Sequence, residues 1–356
     1  VKVRLRPRRR WLRYSLRTLL VLITVFGVWL GSKVNQARRQ KEAVAALMAL
    51  GTGFYYAHQK DEAYPHGINP GHELVAPKWL DELAGYDFFR TVISVQVSSP
   101  VSDEDLVYLA GLPYIERLYV TGFGRDVSDW ELDQLRRPDR RIAPGARGNN
   151  VSDAGLAHLR RPDRLITFGA GDTLVGDGFV KRLLNATRLE SLQLAESRVT
   201  DEGLLAIRKL TKLKRLSLYD TKITDAGMAA LHGMTALENL ELGRTEITDA
   251  GLVHLKNAKR LRHLSLTQTN VTDAGLSHLH GLPELRSVAL DDTAATPDGI
   301  AAMKAATPTL RGVDRKDAGL LMQEEEMAEE AAMLRKLGPP RRAAQPTGSR
   351  LPPEIR

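Results

Sequence analysis

The chain contains no cysteine. That excludes a disulfide framework, a thiol nucleophile, a Cys-ligated zinc and an iron–sulfur cluster. It leaves the compartment open, because reducing and oxidising surroundings both tolerate such a sequence. Phosphate-binding loops are missing too. Gly51-Thr52-Gly53 and Gly169-Ala170-Gly171 carry only part of the spacing, and no GK[ST] occurs. Neither GxSxG nor SxxK is present for a serine nucleophile. His72-Glu73 begins HExxH, but Ala76 fills the second histidine position.

Positive charge is scarce where it would have to lie to track nucleic acid. The net charge is +8, yet residues 1–50 hold 12 Lys/Arg and one acid, and residues 338–356 hold four Arg and one Glu. The remaining 51–337 carries 35 basic and 41 acidic residues and is mildly acidic. With the basicity confined to the flanks, no nucleic-acid partner is expected.

The basic N-terminus precedes the one long apolar run. Lys2, Arg4, Arg6, Arg8, Arg9, Arg10, Arg13 and Arg17 come first, with no acid among them, and Thr18 to Gly31 reads TLLVLITVFGVWLG. That run makes about 21 Å of helix, short of a hydrocarbon core of about 30 Å. Extended to residues 12–34 it spans, with Arg13, Arg17 and Lys33 reaching the headgroups and Trp11, Tyr14 and Trp29 at the interfaces. A cleaved signal peptide would need small residues before the cut, and none is well placed between Trp29 and Gln36. A buried core helix would have to hide eight flanking cations. Residues 1–34 are therefore expected to form a basic N-terminus and signal anchor in the cytoplasmic (inner) membrane. The cation excess places the N-terminus in the cytoplasm and the rest outside it.

Self-similarity dominates the middle of the chain. Units starting at Val199, Ile223, Ile247 and Val271 align without a gap, as in VTDEGLLAIRKLTKLKRLSLYDTK and ITDAGMAALHGMTALENLELGRTE, a period of 24. Stepping back gives Val175, Val151 and Val127, and one step of 26 reaches Val101. Each unit has an LxL pair with both leucines on one strand face: Leu192/Leu194, Leu216/Leu218, Leu240/Leu242, Leu264/Leu266 and Val288/Leu290. Three residues on stands Thr173, Ser197, Thr221, Thr245, Thr269 or Thr293, whose hydroxyl can satisfy backbone groups. Ser/Thr-Asp then opens a helix, capping its free N–H groups. Gly155, Gly203, Gly227, Gly251, Gly275 and Gly299 recur in the first turn, where a missing Cβ lets adjacent helices approach. One unit cannot bury its leucines alone, so stacking is required. The expected fold class is α/β: a solenoid with a parallel sheet on its concave face and helices on its convex face.

These motifs resemble the leucine-rich-repeat family, specifically its LxxLxLxxTxITDAGLxxL variety, over about 101–313. Taken with RYSLRTLLVLITVFGVWLG, KEAVAALMALG and WLDELAGYDFFRTVISVQV, the whole chain to about 313 is similar to membrane-anchored planctomycete leucine-rich-repeat proteins. That resemblance implies no activity. The units from Val127 and Val151 depart from the pattern. They share LRRPDR, their strands read IAPG and ITFG, and Pro144 stands where a leucine belongs, so the sheet is expected to be weakest there.

Residues 35–100 are expected to form a juxtamembrane helix, stopped by Gly51, and an N-terminal cap with strands near Gly53 and over Val92 to Val97. Residues 101–314 are the array, 315–337 a C-terminal helix and 338–356 a Pro- and Arg-rich disordered tail. His158, His254 and His278 share one repeat position on helices about 10 Å apart, too wide for an easy shared ion. The aspartate column Asp103, Asp129, Asp153, Asp177, Asp201, Asp225, Asp249 and Asp273 reads as helix capping. No metal, cofactor or catalysis is expected.

The surface expected to act is the concave face, whose outward residues differ between units while the buried ones barely change. Its candidates are Arg215, Tyr219, Asp220, Asn239, Glu241, Arg244, His263, Gln268, Asp291 and Asp292. Tyr and Arg are typical interface anchors. The expected function is a membrane-anchored scaffold binding a protein partner yet to be identified. The alternative is a substrate-recognition adaptor of the F-box/leucine-rich-repeat type, for which residues 35–100 are too short and too strand-like.

Overall fold

The computed structural model describes residues 16–56, 91–97, 101–120 and 150–313. Its organising fact is the disappearance of the LxL pairs from solvent. Leu192/Leu194, Leu216/Leu218, Leu240/Leu242 and Leu264/Leu266 are all at most 2% exposed. Each such side chain contributes about 1.5–3 kcal/mol when buried, and only a neighbouring unit can bury it. The described strands accordingly form one sheet in chain order: β1 (Gly53–Tyr56), β2 (Val92–Gln96), β3 (Arg117–Tyr119), β4 (Thr167–Gly169), β5 (Ser191–Gln193), β6 (Arg215–Ser217), β7 (Asn239–Glu241), β8 (His263–Ser265) and β9 (Ser287–Ala289). β1 and β2 are antiparallel, and every later pair is parallel. Register is constant, so Val95, Leu118, Phe168, Leu192, Leu216, Leu240, Leu264 and Val288 form one inward row.

The row exposes a correction. β3 pairs directly with β4, and Ser102 bridges to Asn150. The unit from Val101 therefore stacks on the unit from Val151, and the sheet holds no place between them for a strand from Val127. Pro144 and Asp129 lie outside the described residues. Nor is the sheet interrupted at the next unit: Phe168 takes the leucine position and β4 pairs on both sides. Its ring packs on Phe179, centroids 4.7 Å apart.

A second correction concerns the aspartates. Helix capping belongs to the hydroxyls: Ser152, Thr200, Thr224, Thr248, Thr272 and Thr296 each accept an N–H from their own first turn. The following aspartate reaches the next unit instead. Asp201 Oδ1 accepts the Thr224 N–H at 2.8 Å, and Oδ2 accepts the Thr224 hydroxyl at 2.6 Å. In the same way the N–H and hydroxyl of Ser152 donate to Asp103, those of Thr200 to Asp177, Thr248 to Asp225, Thr272 to Asp249 and Thr296 to Asp273. The glycines make room for it. A Cβ on Gly227 would overlap Asp201 Oδ1, and Gly203, Gly251, Gly275 and Gly299 face the preceding aspartate in the same way. The expected close approach of helices is thus a carboxylate seated against a bare backbone. Asp153 has a weaker partner, because Gly176 replaces the threonine and offers only its N–H at 2.8 Å.

The convex elements are short. α2 (Asp153–Leu156), α3 (Asp177–Arg182), α4 (Asp201–Ala206), α5 (Asp225–Met228), α6 (Asp249–Leu252) and α7 (Asp273–Leu276) mostly pass into 3-10 turns, and only α8 (Pro297–Ala306) is longer. Thr173, Thr221, Thr245, Thr269 and Thr293 donate their hydroxyls to the carbonyl three residues back, as expected. Ser197 Oγ, at the same position, is buried without a partner.

α1 (Leu16–Ala49) is one unbroken helix, about 51 Å long. Its first half is exposed from Leu19 to Leu30, and the stretch from Thr18 is long and apolar enough to cross a membrane. Its second half buries Gln40, Ala43, Val44 and Leu47. It lies on the 3-10 turn Asp105–Gly111, so closely that a Cβ on Gly111 would come 2.8 Å from the Ala43 Cβ. Gly51 then turns the chain with φ +75° into β1. α1 and β1 together cover the first edge of the stack. Residues 1–15, the part of the expected N-terminal cap over 57–90, the helix at 315–337 and the tail at 338–356 lie outside the described residues.

Candidate functional site

Constant register sorts the concave face into rows one residue wide. The first row runs Arg117, Thr167, Ser191, Arg215, Asn239, His263 and Ser287, and the second Tyr119, Gly169, Gln193, Ser217, Glu241, Ser265 and Ala289. Neighbouring strands stand about 4.8 Å apart, so side chains in one row cover each other. Arg215, Asn239 and Glu241 remain half-exposed. His263 is buried, with Nδ1 2.7 Å from Ser287 Oγ. Tyr219 is also buried, at 3% exposure. Its ring rests where Gly243 of the next unit lacks a side chain, and the Arg244 guanidinium lies 5.7 Å from the ring centroid. The repeat pattern alone points Tyr219 and His263 outward as contacts; the structure makes them the floor instead.

The accessible candidates cluster where the chain leaves each strand. Asp220, Arg244, Gln268 and Asp292 have φ between +51° and +57°, as do Asp172 and Glu196 at the same position in earlier units. A left-handed backbone costs a non-glycine residue about 1–2 kcal/mol. It persists because the backbone ladder continues past the strands: Asp220 N–H donates to Gly243 O at 2.9 Å and Arg244 N–H to Thr267 O at 2.8 Å. The turn aims four side chains into one file. Arg244 Nε donates to Gln268 Oε1 at 2.5 Å, Arg244 Nη1 lies 3.3 Å from Asp220 Oδ2, and Gln268 Nε2 donates to Asp292 Oδ2 at 3.0 Å. Half-exposed Asp291 flanks the last of them. Four units thus present a pre-ordered polar ladder with carboxylates at both ends.

Sequence reasoning misses Glu196 and Asp172 as members of this edge. The signal is available, since counting back by the period from Asp220 reaches both. The structure brings Asp220, Arg244, Gln268, Asp291 and Asp292 together at the edge. Arg215, Asn239 and His263 line up on the opposite side of the strands, with Glu241 between the two groups.

The resolved pKa shifts lie on the convex elements and in the turns. The Thr296 hydroxyl and N–H hold the Asp273 carboxyl below its usual range. Arg161 does the same to Asp163 through a side-chain hydrogen bond, and Glu202 raises Lys181. These are structural pairs, not a nucleophile beside a base. Among the described residues, no group of three or more His, Asp or Glu is placed to hold a metal ion.

Two stretches, 186–207 and 209–231, match the leucine-rich repeat family. Those two stretches are leucine-rich repeats, and the fold around them is a solenoid with a parallel sheet and short convex helices. Among solved structures similar to it are an internalin and an internalin C2, both of Listeria monocytogenes. The first is 19% identical over 58% of this chain and 69% of its own, with a TM-score of 0.37. The second is 19% identical over 56% of this chain and 80% of its own, with a TM-score of 0.40. No curated protein matches the chain.

Proposed function

We propose that this leucine-rich-repeat protein is a non-catalytic scaffold that binds a protein partner through the strand-exit edge of its concave face. The observation carrying this reading is the Asp220–Arg244–Gln268–Asp292 ladder, fixed by strained backbone and by hydrogen bonds between units. Side chains already held in place lose little entropy on binding. Hydrogen-bonded charges in a file give an interface register and steer association. Arg215, Asn239, Glu241 and Asp291 complete the surface, while Tyr219 and His263 act beneath it by holding Arg244 and Ser287.

In the same reading α1 anchors the array to a membrane. Its exposed apolar half and the cations preceding it support a single span, with the N-terminus cytoplasmic and the array on the other side. Protease accessibility in spheroplasts tests the topology: digestion of the array supports it, and protection contradicts it. No observation favours the adaptor reading. The binding claim is tested by comparing proteins retained by the full chain with those retained by an Asp220→Lys, Asp292→Lys variant of unchanged circular dichroism. Loss of a reproducible partner from the variant is expected. Retention of an unaltered set would overturn the assignment of the edge.

A further inference from the structure

The hydroxyl and N–H that open a unit are held by the aspartate of the unit before it, and among the described residues the unit from Val101 has no predecessor to supply one. The second half of α1 lies on that side, and residues 35–50 contain no aspartate; their one acid, Glu42, is paired with Arg38 at 2.9 Å. The two donors are satisfied from within the unit instead. The Ser102 N–H donates to Asp105 Oδ2 at 2.8 Å, and the Ser102 hydroxyl donates to the same oxygen at 2.9 Å. In return the Asp105 N–H donates to the Ser102 carbonyl at 3.2 Å, a reciprocal closure of the capping-box kind. Asp105 stands four residues after Val101, the place that Gly155, Gly203, Gly227, Gly251 and Gly275 hold in their own units. There the bare backbone admits the preceding carboxylate, and a Cβ on Gly155 would overlap Asp103. A side chain at that place shuts out an incoming aspartate, and an aspartate there also supplies the missing acceptor.

We infer that Asp105 starts the array: it closes the first unit on itself, so that α1 packs on a unit already complete and can leave it without opening it. The seam with α1 is of another kind. Ala43, Val44 and Leu47 are buried in one core with Leu106 and Leu109, and Gln40 Oε1 accepts the Val92 N–H of β2 at 3.4 Å. None of these contacts uses the Ser102 donors. Undocking α1 therefore loses apolar burial and leaves the polar closure of the first unit in place. The junctions farther along carry carboxylate hydrogen bonds from unit to unit. The array is thus joined to α1 by a seam that opens ahead of the units beyond it.

The test uses the detergent-solubilised full chain and reads amide hydrogen exchange residue by residue. Asp105→Ala should speed exchange at Ser102 about tenfold, through loss of a bond to a charged acceptor, and leave Thr224 unchanged. Asp201→Ala should instead speed exchange at Thr224, one unit on, and spare Thr200, which Asp177 holds. Unchanged exchange at Ser102 in Asp105→Ala overturns the closure. The seam is read in a Val44→Cys background, since the chain has no other thiol and Val44 is 7% exposed. With rising urea, alkylation of that thiol should begin while Ser102 is still protected. Opening of both at one urea concentration, or of Ser102 first, overturns the independence of the first unit from α1.

Discussion

Replacing Gly227 by alanine should destabilise the array, against the ordinary effect of that change in a helix. Alanine within a helix is favoured over glycine by about 0.5–1 kcal/mol, and Gly227 lies in α5. But its new Cβ would overlap Asp201 Oδ1 and come 3.0 Å from the carboxylate carbon. The carboxylate must then leave the Thr224 N–H and hydroxyl, which it binds at 2.8 and 2.6 Å. Hydrogen bonds to a charged group contribute about 1.5–3 kcal/mol each when buried. Asp201 and Thr224 are half-exposed, so roughly 2–3 kcal/mol for the pair is reasonable. Subtracting the helix gain leaves a loss of about 1–2.5 kcal/mol. Urea unfolding of the detergent-solubilised chain reads it as a lower midpoint, and the nearest-neighbour coupling of a repeat stack makes the transition broader. The decisive comparison is the same substitution in an Asp201→Ala background. With no carboxylate to displace, only the 3.2 Å approach to the Asp201 Cα remains, and Gly227→Ala should cost clearly less there than in the parent chain. Stabilisation in the parent chain, or equal cost in both backgrounds, would refute the latch.

The same geometry predicts three further outcomes. Ser197→Thr should raise stability by about 0.5–1.5 kcal/mol, measured by thermal unfolding, because Thr221 and Thr245 at that position donate to a carbonyl that Ser197 does not reach. At Gln268, φ is +57°; valine there should cost about 1–2 kcal/mol more than glycine by urea midpoint, and equal costs would contradict the strain. The folded-state value of Asp273 is lowered by Thr296, so its contribution is complete above the unfolded carboxylate value of about 4. It is lost as pH falls through the lowered folded value. The stability gap between the parent and Asp273→Asn should therefore be widest at neutral pH and close on acidification, and a gap constant down to strong acid would contradict the assignment.

The inward pattern is legible in the sequence because burial repeats in one dimension. Leucines two apart, a threonine three residues on and a period of 24 held from Val151 onward specify strand, turn and stack together. The aspartate is legible as a position but not as a contact. One period separates its own helix from the next, so a repeat reads the same whether the carboxylate bonds within a unit or across to its neighbour. The stretch at Val127 misleads because LRRPDR duplicates a helical segment, whereas IAPG offers no leucine to bury. The left-handed edge leaves no mark, since Asp, Glu, Arg and Gln all occupy it and none announces a positive φ. Burial of Tyr219 depends on Gly243 one unit along, a pairing visible only once the register is known.

Site-specific photo-crosslinking from the array tests the central claim most directly. Reporters at Glu241 and Asp292 on the concave side are compared with reporters at Lys256 and Lys209 on the convex side. The account predicts one shared partner captured from the first two positions and not from the second two. Capture of that same partner with equal yield from the convex reporters would contradict it.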